Sequence, residues 1–148
     1  MSRIFSQRFV VPPESIDIQR HVNNVEYVRW MQEAAIAHST DLAWPMERYF
    51  AAHCGWVVRT HSIEYLRPAL LGDPLRVLTW VASVGERSST RKYVFWRESD
   101  RQVVVRAESL WVFVDLRTGL PRPILDDVRA SFPVVADDTE LETLLADA

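Results

Sequence analysis

The alternation of apolar and polar positions divides the chain into one helical segment flanked by strand-like ones. From residue 25 to about 41, Val25, Tyr27, Val28, Trp30, Met31, Ala34, Ala35, Ile36 and Ala37 make a helix apolar on nearly every side, with Glu26, Arg29 and Glu33 as a narrow polar stripe. Such a pattern predicts a largely buried helix. Pro45 keeps it from running much further, since proline has no N–H and clashes with the preceding turn. Upstream, residues 3–11 hold Phe5, Phe9, Val10 and Val11 and read as a strand, closed by Pro12-Pro13. Downstream the sequence becomes rich in branched and aromatic residues, and 56–66, 75–84, 89–98 and 102–116 are the predicted strands. Pro68, Gly72-Asp73-Pro74, Gly85, Ser99-Asp100 and Thr118-Gly119 supply the turns. Connections this short make neighbouring strands mostly antiparallel.

Five strands and a single long helix predict an α+β arrangement in which an antiparallel five-stranded sheet wraps one face around the helix. The 148 residues, 48% apolar and 25% charged, suit one globular domain over 1–148, with acidic residues gathered in a tail from about 126. No apolar run approaches the roughly 18 residues of a membrane span. The opening Met1-Ser2-Arg3-Ile4-Phe5-Ser6 lacks the apolar stretch and cleavage site of a secretory signal, so the expected compartment is the cytoplasm. A net charge of −3 without a basic stripe argues against a nucleic-acid partner. The tryptophans lie within apolar segments and read as core rather than as base-stacking platforms. Cys54 is the only cysteine, which excludes an internal disulfide and a cysteine-rich metal site; a buried thiol is expected. His38, His53 and His61 lack metal-ligand spacing, so no metal is expected. An open sheet edge, together with Trp80, Trp96 and Trp111 in excess of what one small core holds, predicts a homodimer or homotetramer.

Chemistry concentrates in Asp17-Ile18-Gln19-Arg20-His21-Val22-Asn23-Asn24-Val25-Glu26-Tyr27. With Asn23 as N-cap, its side chain accepts from the amide of Val25 or Glu26, and Glu26 stands where a capping box reaches back to the cap. The Asn24 amide, at the first helical position, then has no intrahelical acceptor and sits at the positive end of the helix dipole. A carboxylate beside such an amide suits acyl transfer: Asp17 attacks a carbonyl or activates water, and the amide stabilises the oxyanion. Taken singly these residues have plainer readings, with Asp17 a solvated turn residue, His21 a hydrogen-bonding residue that orients the loop, and Asn23-Asn24 a helix start. Arg67, Arg87, Arg91 and Arg122 could gather phosphates or serve as ordinary surface charges.

The spacing Asp17, His21, Asn23-Asn24, Tyr27 resembles the 4-hydroxybenzoyl-CoA thioesterase family within the hot-dog-fold thioesterases, and is similar to the plant acyl-carrier-protein thioesterases. The likeness continues through Glu64-Tyr65-Leu66-Arg67-Pro68, Gly72-Asp73-Pro74-Leu75, the turn from Gly85 to Ser89, and Val114-Asp115-Leu116-Arg117-Thr118-Gly119-Leu120-Pro121, and covers about residues 3–124. It implies a hot-dog fold with active sites between two subunits, Asp17 as catalytic carboxylate, the Asn24 amide as oxyanion donor, and His21 as organiser of the site. It also implies that Asn23, Tyr27, Arg67, Ser88, Ser89 and Arg91 meet the substrate, an acyl thioester of coenzyme A or of a carrier protein, with no separate cofactor. Arg20 departs from a common glycine and Ser15 from a common acidic residue. Gln19 stands at the plant enzymes' catalytic asparagine and Pro68-Ala69 at their Glu-Cys pair, so their mechanism does not transfer. A non-catalytic acyl-thioester binding protein is the rival reading that Arg20 and Ser15 keep open.

Overall fold

The computed structural model describes residues 3–147. Its elements run β1 (Phe5–Val10), α1 (Asn24–Asp41), α2 (Met46–Ala51), β2 (Cys54–Tyr65), β3 (Pro74–Val84), β4 (Ser88–Arg97), β5 (Gln102–Asp115), α3 (Asp126–Ser131) and α4 (Thr139–Asp147). The strands form one sheet in the order β1-β3-β4-β5-β2, with every neighbouring pair antiparallel. Together with the long helix α1 this is the hot-dog arrangement. β1 and β2 are left as edges, β2 pairing only with β5 from Cys54↔Asp115 to Tyr65↔Val105.

Helix α1 crosses one face of the sheet on a stripe set by helical periodicity. Tyr27, Met31 and Ala34 fall at i, i+4 and i+7 and pack with Leu75 and Val77 of β3, Tyr93 and Phe95 of β4, and Val104 and Val105 of β5. Full burial of a side chain such as Met31 contributes about 1.5–3 kcal/mol. The helix is less enclosed than its composition predicts: Val25 is 71% exposed and Ile36 39%. The sheet covers only one side of it, so the apolar residues on the other side stay accessible. Glu26, expected in the polar stripe, is instead buried and paired with Arg29.

The acidic tail is also more than a solvated extension. Val135 and Leu141 cover Leu78, Trp80, Val94 and Trp96 on the sheet face opposite α1, with Ile4, Leu144 and Leu145 joining the cluster. Trp80 and Trp96 are therefore 2% and 4% exposed within one chain, and their surplus is no longer a reason to expect a second copy. The open edge of β2 is a separate matter and persists. A third cluster joins Trp44, Tyr49, Cys54, Phe113, Ile124, Val128 and Phe132, which seats α2 and α3 at the C-terminal end of α1. No helix among the described residues is long and apolar enough to cross a membrane.

Candidate active site

The segment before α1 folds back as a short hairpin. The Asn23 N–H donates to the Ser15 carbonyl at 2.9 Å, Ile16 and Val22 form an antiparallel bridge, and the Asp17 N–H donates to the His21 carbonyl at 2.9 Å. Asp17 thus sits directly across the hairpin from His21. The tip closes through the Arg20 N–H on the Asp17 carbonyl at 3.0 Å, and Arg20 has φ 69°. That left-handed conformation is sterically unfavourable for an L-residue and easy for glycine. Arg20, at a position where the resembling family often has glycine, keeps the glycine-like turn. Half-buried Asp17 accepts from the Gln19 N–H through Oδ1 at 2.8 Å, while Oδ2 has no hydrogen-bond partner among the described residues.

At the start of α1, the Asn23 Oδ1 accepts from the Val25 N–H at 3.0 Å, and the Glu26 N–H donates to the Asn23 carbonyl at 2.9 Å. The reciprocal half of the expected capping box is absent, because Glu26 turns to Arg29 and the Asn23 N–H is taken by Ser15. The Asn24 N–H is left without an acceptor among the described residues, in the position where a helix favours negative charge.

His21, Asn24, Tyr27 and Arg67 line one cavity of about 180 Å³ with Val22, Tyr65, Leu66, Pro68 and Ala69. The Val22 N–H on the Ala69 carbonyl at 2.9 Å ties the hairpin to the segment after β2. Arg97 braces that segment by donating to the Pro68 carbonyl at 2.8 Å and to Asp73 at 3.1 Å. Tyr65 donates to the Asn24 carbonyl at 3.3 Å. Tyr27 is buried among the rings of Trp30, Tyr65 and Phe95, and burial pushes its phenol well above the ordinary value, with Arg97 opposing. Asp17 and Asn23 belong to the hairpin and the helix cap and do not line this cavity. Of the lining, Val22, Tyr65, Leu66, Pro68 and Ala69 carry no site signal of their own in the sequence, although Tyr65-Leu66-Arg67-Pro68 belongs to a stretch that resembles the family.

The residues expected after the third strand lie elsewhere. Ser89 and Arg91 line a second cavity of about 290 Å³ between the C-terminal half of α1, α2, α3 and the sheet, and Ser88 lines neither cavity. Arg91 is only 6% exposed, and its Nη1 donates to His38 Nδ1 at 2.9 Å and to the Thr79 hydroxyl at 3.1 Å. Within this chain it is held inside the second cavity by these contacts, apart from the cavity that Asn24 and Arg67 line. Ser89 is similarly occupied, donating to the Ser83 carbonyl at 2.9 Å. No periodicity marks this cavity in the sequence, since its walls come from three helices, four strands and the segments between them.

Residues 11–132 match the thioesterase-like superfamily. The chain belongs to that superfamily. Among its relatives, the long-chain acyl-CoA thioesterase FadM of Escherichia coli (strain K12) is 30% identical over 70% of this chain and 77% of its own length. The chloroplastic acyl-(acyl-carrier-protein) hydrolase FATB3 of Cuphea viscosissima is 26% identical over 95% of this chain, which spans only 37% of that protein. The 1,4-dihydroxy-2-naphthoyl-CoA thioesterase Slr0204 of Synechocystis superposes with a TM-score of 0.79 at 16% identity, covering 86% of this chain and 94% of that one. At that identity the superposition speaks for the hot-dog fold of the thioesterase-like chain alone.

Proposed function

We propose that this thioesterase-like chain hydrolyses an acyl thioester of coenzyme A to the free acid and the thiol. The observation that carries the reading is the Asn24 N–H, unpartnered among the described residues, on a residue of the first turn of α1 that lines a cavity together with His21. A thioester carbonyl bound there gains a hydrogen bond that strengthens as its oxygen becomes negative. Asp17 attacks the carbonyl carbon, or takes a proton from a water that attacks; its Oδ2 is unoccupied while Oδ1 is steadied by the Gln19 amide. The thiolate then leaves and takes up a proton; where Asp17 itself attacked, water cleaves the resulting acyl–aspartyl anhydride to release the free acid and restore the carboxylate. His21 holds the loop opposite Asp17, and exposed Arg67, with only Nη1 engaged at the Val103 carbonyl, meets the thiol portion of the substrate. Ser88 and Ser89 enter this reading only through a second copy of the chain, joined at the unpaired edge of β2 as a homodimer or within a homotetramer. Coenzyme A enters as part of the substrate, and the reaction as written uses no cofactor.

The match of 95% of this chain to a part, 37%, of a plant acyl-carrier-protein hydrolase favours a second reading, in which the thioester is carried by a protein. Matched acyl groups on coenzyme A and on a carrier protein distinguish the two by their relative kcat/KM. The chemistry itself is tested by thiol release from a panel of acyl-CoA substrates with wild type and Asp17→Asn. The asparagine can still accept from Gln19, so the loop is retained while kcat drops about 100-fold or more. Undiminished turnover by the folded variant rejects the role given to Asp17.

A further inference from the structure

The second cavity has an electrostatic character that the proposed hydrolysis does not use. Its walls are mostly apolar, including Ile36, Phe50, Trp56 and Trp111, and no acidic residue contributes to them. Arg91 enters this setting as a buried guanidinium without a counter-ion. Its protein acceptors are the imidazole of His38 and the hydroxyl of Thr79, both through Nη1, and among the described residues no carboxylate pairs with it. Nε and Nη2 are left without an acceptor among the described residues. Arg129 adds a second cation to the lining, and it donates to neutral acceptors as well, the carbonyls of Gly85 and Glu86.

An uncompensated buried charge is unfavourable unless something supplies the opposite sign. His38 cannot, because as acceptor from Arg91 its Nδ1 carries no proton and the ring is neutral. A carboxylate can, since a guanidinium presents its donors as a planar fork matched to two carboxylate oxygens. The space beyond Arg91 is apolar, so the carboxylate must be borne on an apolar body. At about 290 Å³ the cavity lies near the lower end of ligand pockets, about 300–1,000 Å³, which suits a medium-length chain or a single aryl group. It lies away from the Asn24 amide: Gln32, the first α1 residue to line it, follows Asn24 by 8 positions, roughly 12 Å along a helix.

We propose that this cavity is a binding site for an apolar carboxylate, with the carboxylate on Arg91 and the apolar body against Ile36, Phe50, Trp56 and Trp111. The ligand is either a free acid or the distal carboxyl of a dicarboxylic acyl group. The proposal stands apart from the role given to Asp17, because it concerns binding at a different end of α1.

Calorimetric titration of the wild-type protein with decanoate, decanol and decylammonium tests it. Decanoate binds at least about tenfold more tightly than decanol, and decylammonium does not bind. Arg91→Met removes that preference, bringing decanoate and decanol within about twofold. Ile36→Trp, at the accessible side of the cavity, weakens decanoate binding in a chain whose Arg91 is untouched. Competition by the CoA monothioester of sebacic acid separates the two sources: displacement that requires its free carboxyl assigns the ligand to an acyl tail, and no displacement assigns it to a free acid. Equal affinity of wild type for decanoate and decanol, no binding of decanoate, or an unchanged preference in folded Arg91→Met overturns the proposal. Each of these results is independent of whether Asp17→Asn loses turnover.

Discussion

His38 accepts a hydrogen bond from Arg91 through Nδ1 at 2.9 Å, which fixes its ring in the neutral form with the proton on Nε2. Burial, and then the adjacent guanidinium, push the pKa of His38 from 6.5 down to about 3. In the unfolded chain the same histidine titrates at about 6.5. Between these values the unfolded state binds the extra proton, so the stability it contributes is complete above pH about 6.5 and is lost as pH falls toward about 3, at up to about 1.4 kcal/mol per pH unit. We expect wild type to lose about 2 kcal/mol more than His38→Gln between pH 7 and pH 5, since glutamine can accept from Arg91 without titrating. Urea unfolding at the two pH values reads this difference, and equal losses would exclude His38 as its source.

Removal of the α1 cap links stability to chemistry. Asn23→Ala deletes the acceptor of the Val25 N–H and is expected to destabilise the protein by about 1 kcal/mol. Turnover falls with it, because the neighbouring Asn24 amide loses its fixed direction. Asn23→Asp keeps the acceptor and retains the stability. Thermal melts paired with thiol-release kinetics measure both effects; a capless variant with wild-type kcat would separate the cap from the reaction.

Arg20 offers a stability gain. Its φ of 69° suits glycine, so Arg20→Gly should raise the unfolding free energy by about 0.5–1 kcal/mol, and the β-branched Arg20→Val should lower it by at least as much. Denaturant midpoints decide the sign. A loss on going to glycine would mean that the exposed arginine side chain makes a contribution larger than its backbone penalty.

Strand boundaries and α1 were legible because each depends on local periodicity and on turn residues that act where they stand. The predicted strand 75–84 matches Pro74–Val84, and the predicted strand 102–116 matches Gln102–Asp115. The Asn23 cap was legible for the same reason, and the wrongly assigned partner of Glu26 shows the limit: Arg29 and Ser15 compete for the same groups. Tail packing was hidden because its charged residues are acidic but for Arg129, whereas the apolar spacing Leu141, Leu144, Leu145 is short and has meaning only opposite Trp80 and Trp96. The burial of Arg91, expected to meet the substrate or to stand among ordinary surface charges, was not legible because nothing in a strand sequence alone tells which face of the sheet is closed over.

That tail is expected to behave as part of the core. Leu141→Ala should destabilise the protein by about 2 kcal/mol, the low end for a buried leucine, because the site lies at a helix that can partly collapse. Leu141→Asp should go further and raise binding of a dye that reports exposed apolar surface, as Trp80 and Trp96 are uncovered. Wild-type melting in both variants would show that α4 contributes nothing to the sheet.

The tail's packing on the sheet, with Arg3 paired to Glu140 through its backbone N–H at 3.0 Å and its Nε at 3.2 Å, bears on the order in which these elements come together during synthesis. A ribosome-bound chain can align β1 to β5 once residue 115 has emerged, yet the surface bearing Trp80 and Trp96 must wait for residues 135–145. Until then the nascent protein presents two indole rings to its surroundings, which makes that interval the one in which chaperone capture or clumping competes with maturation.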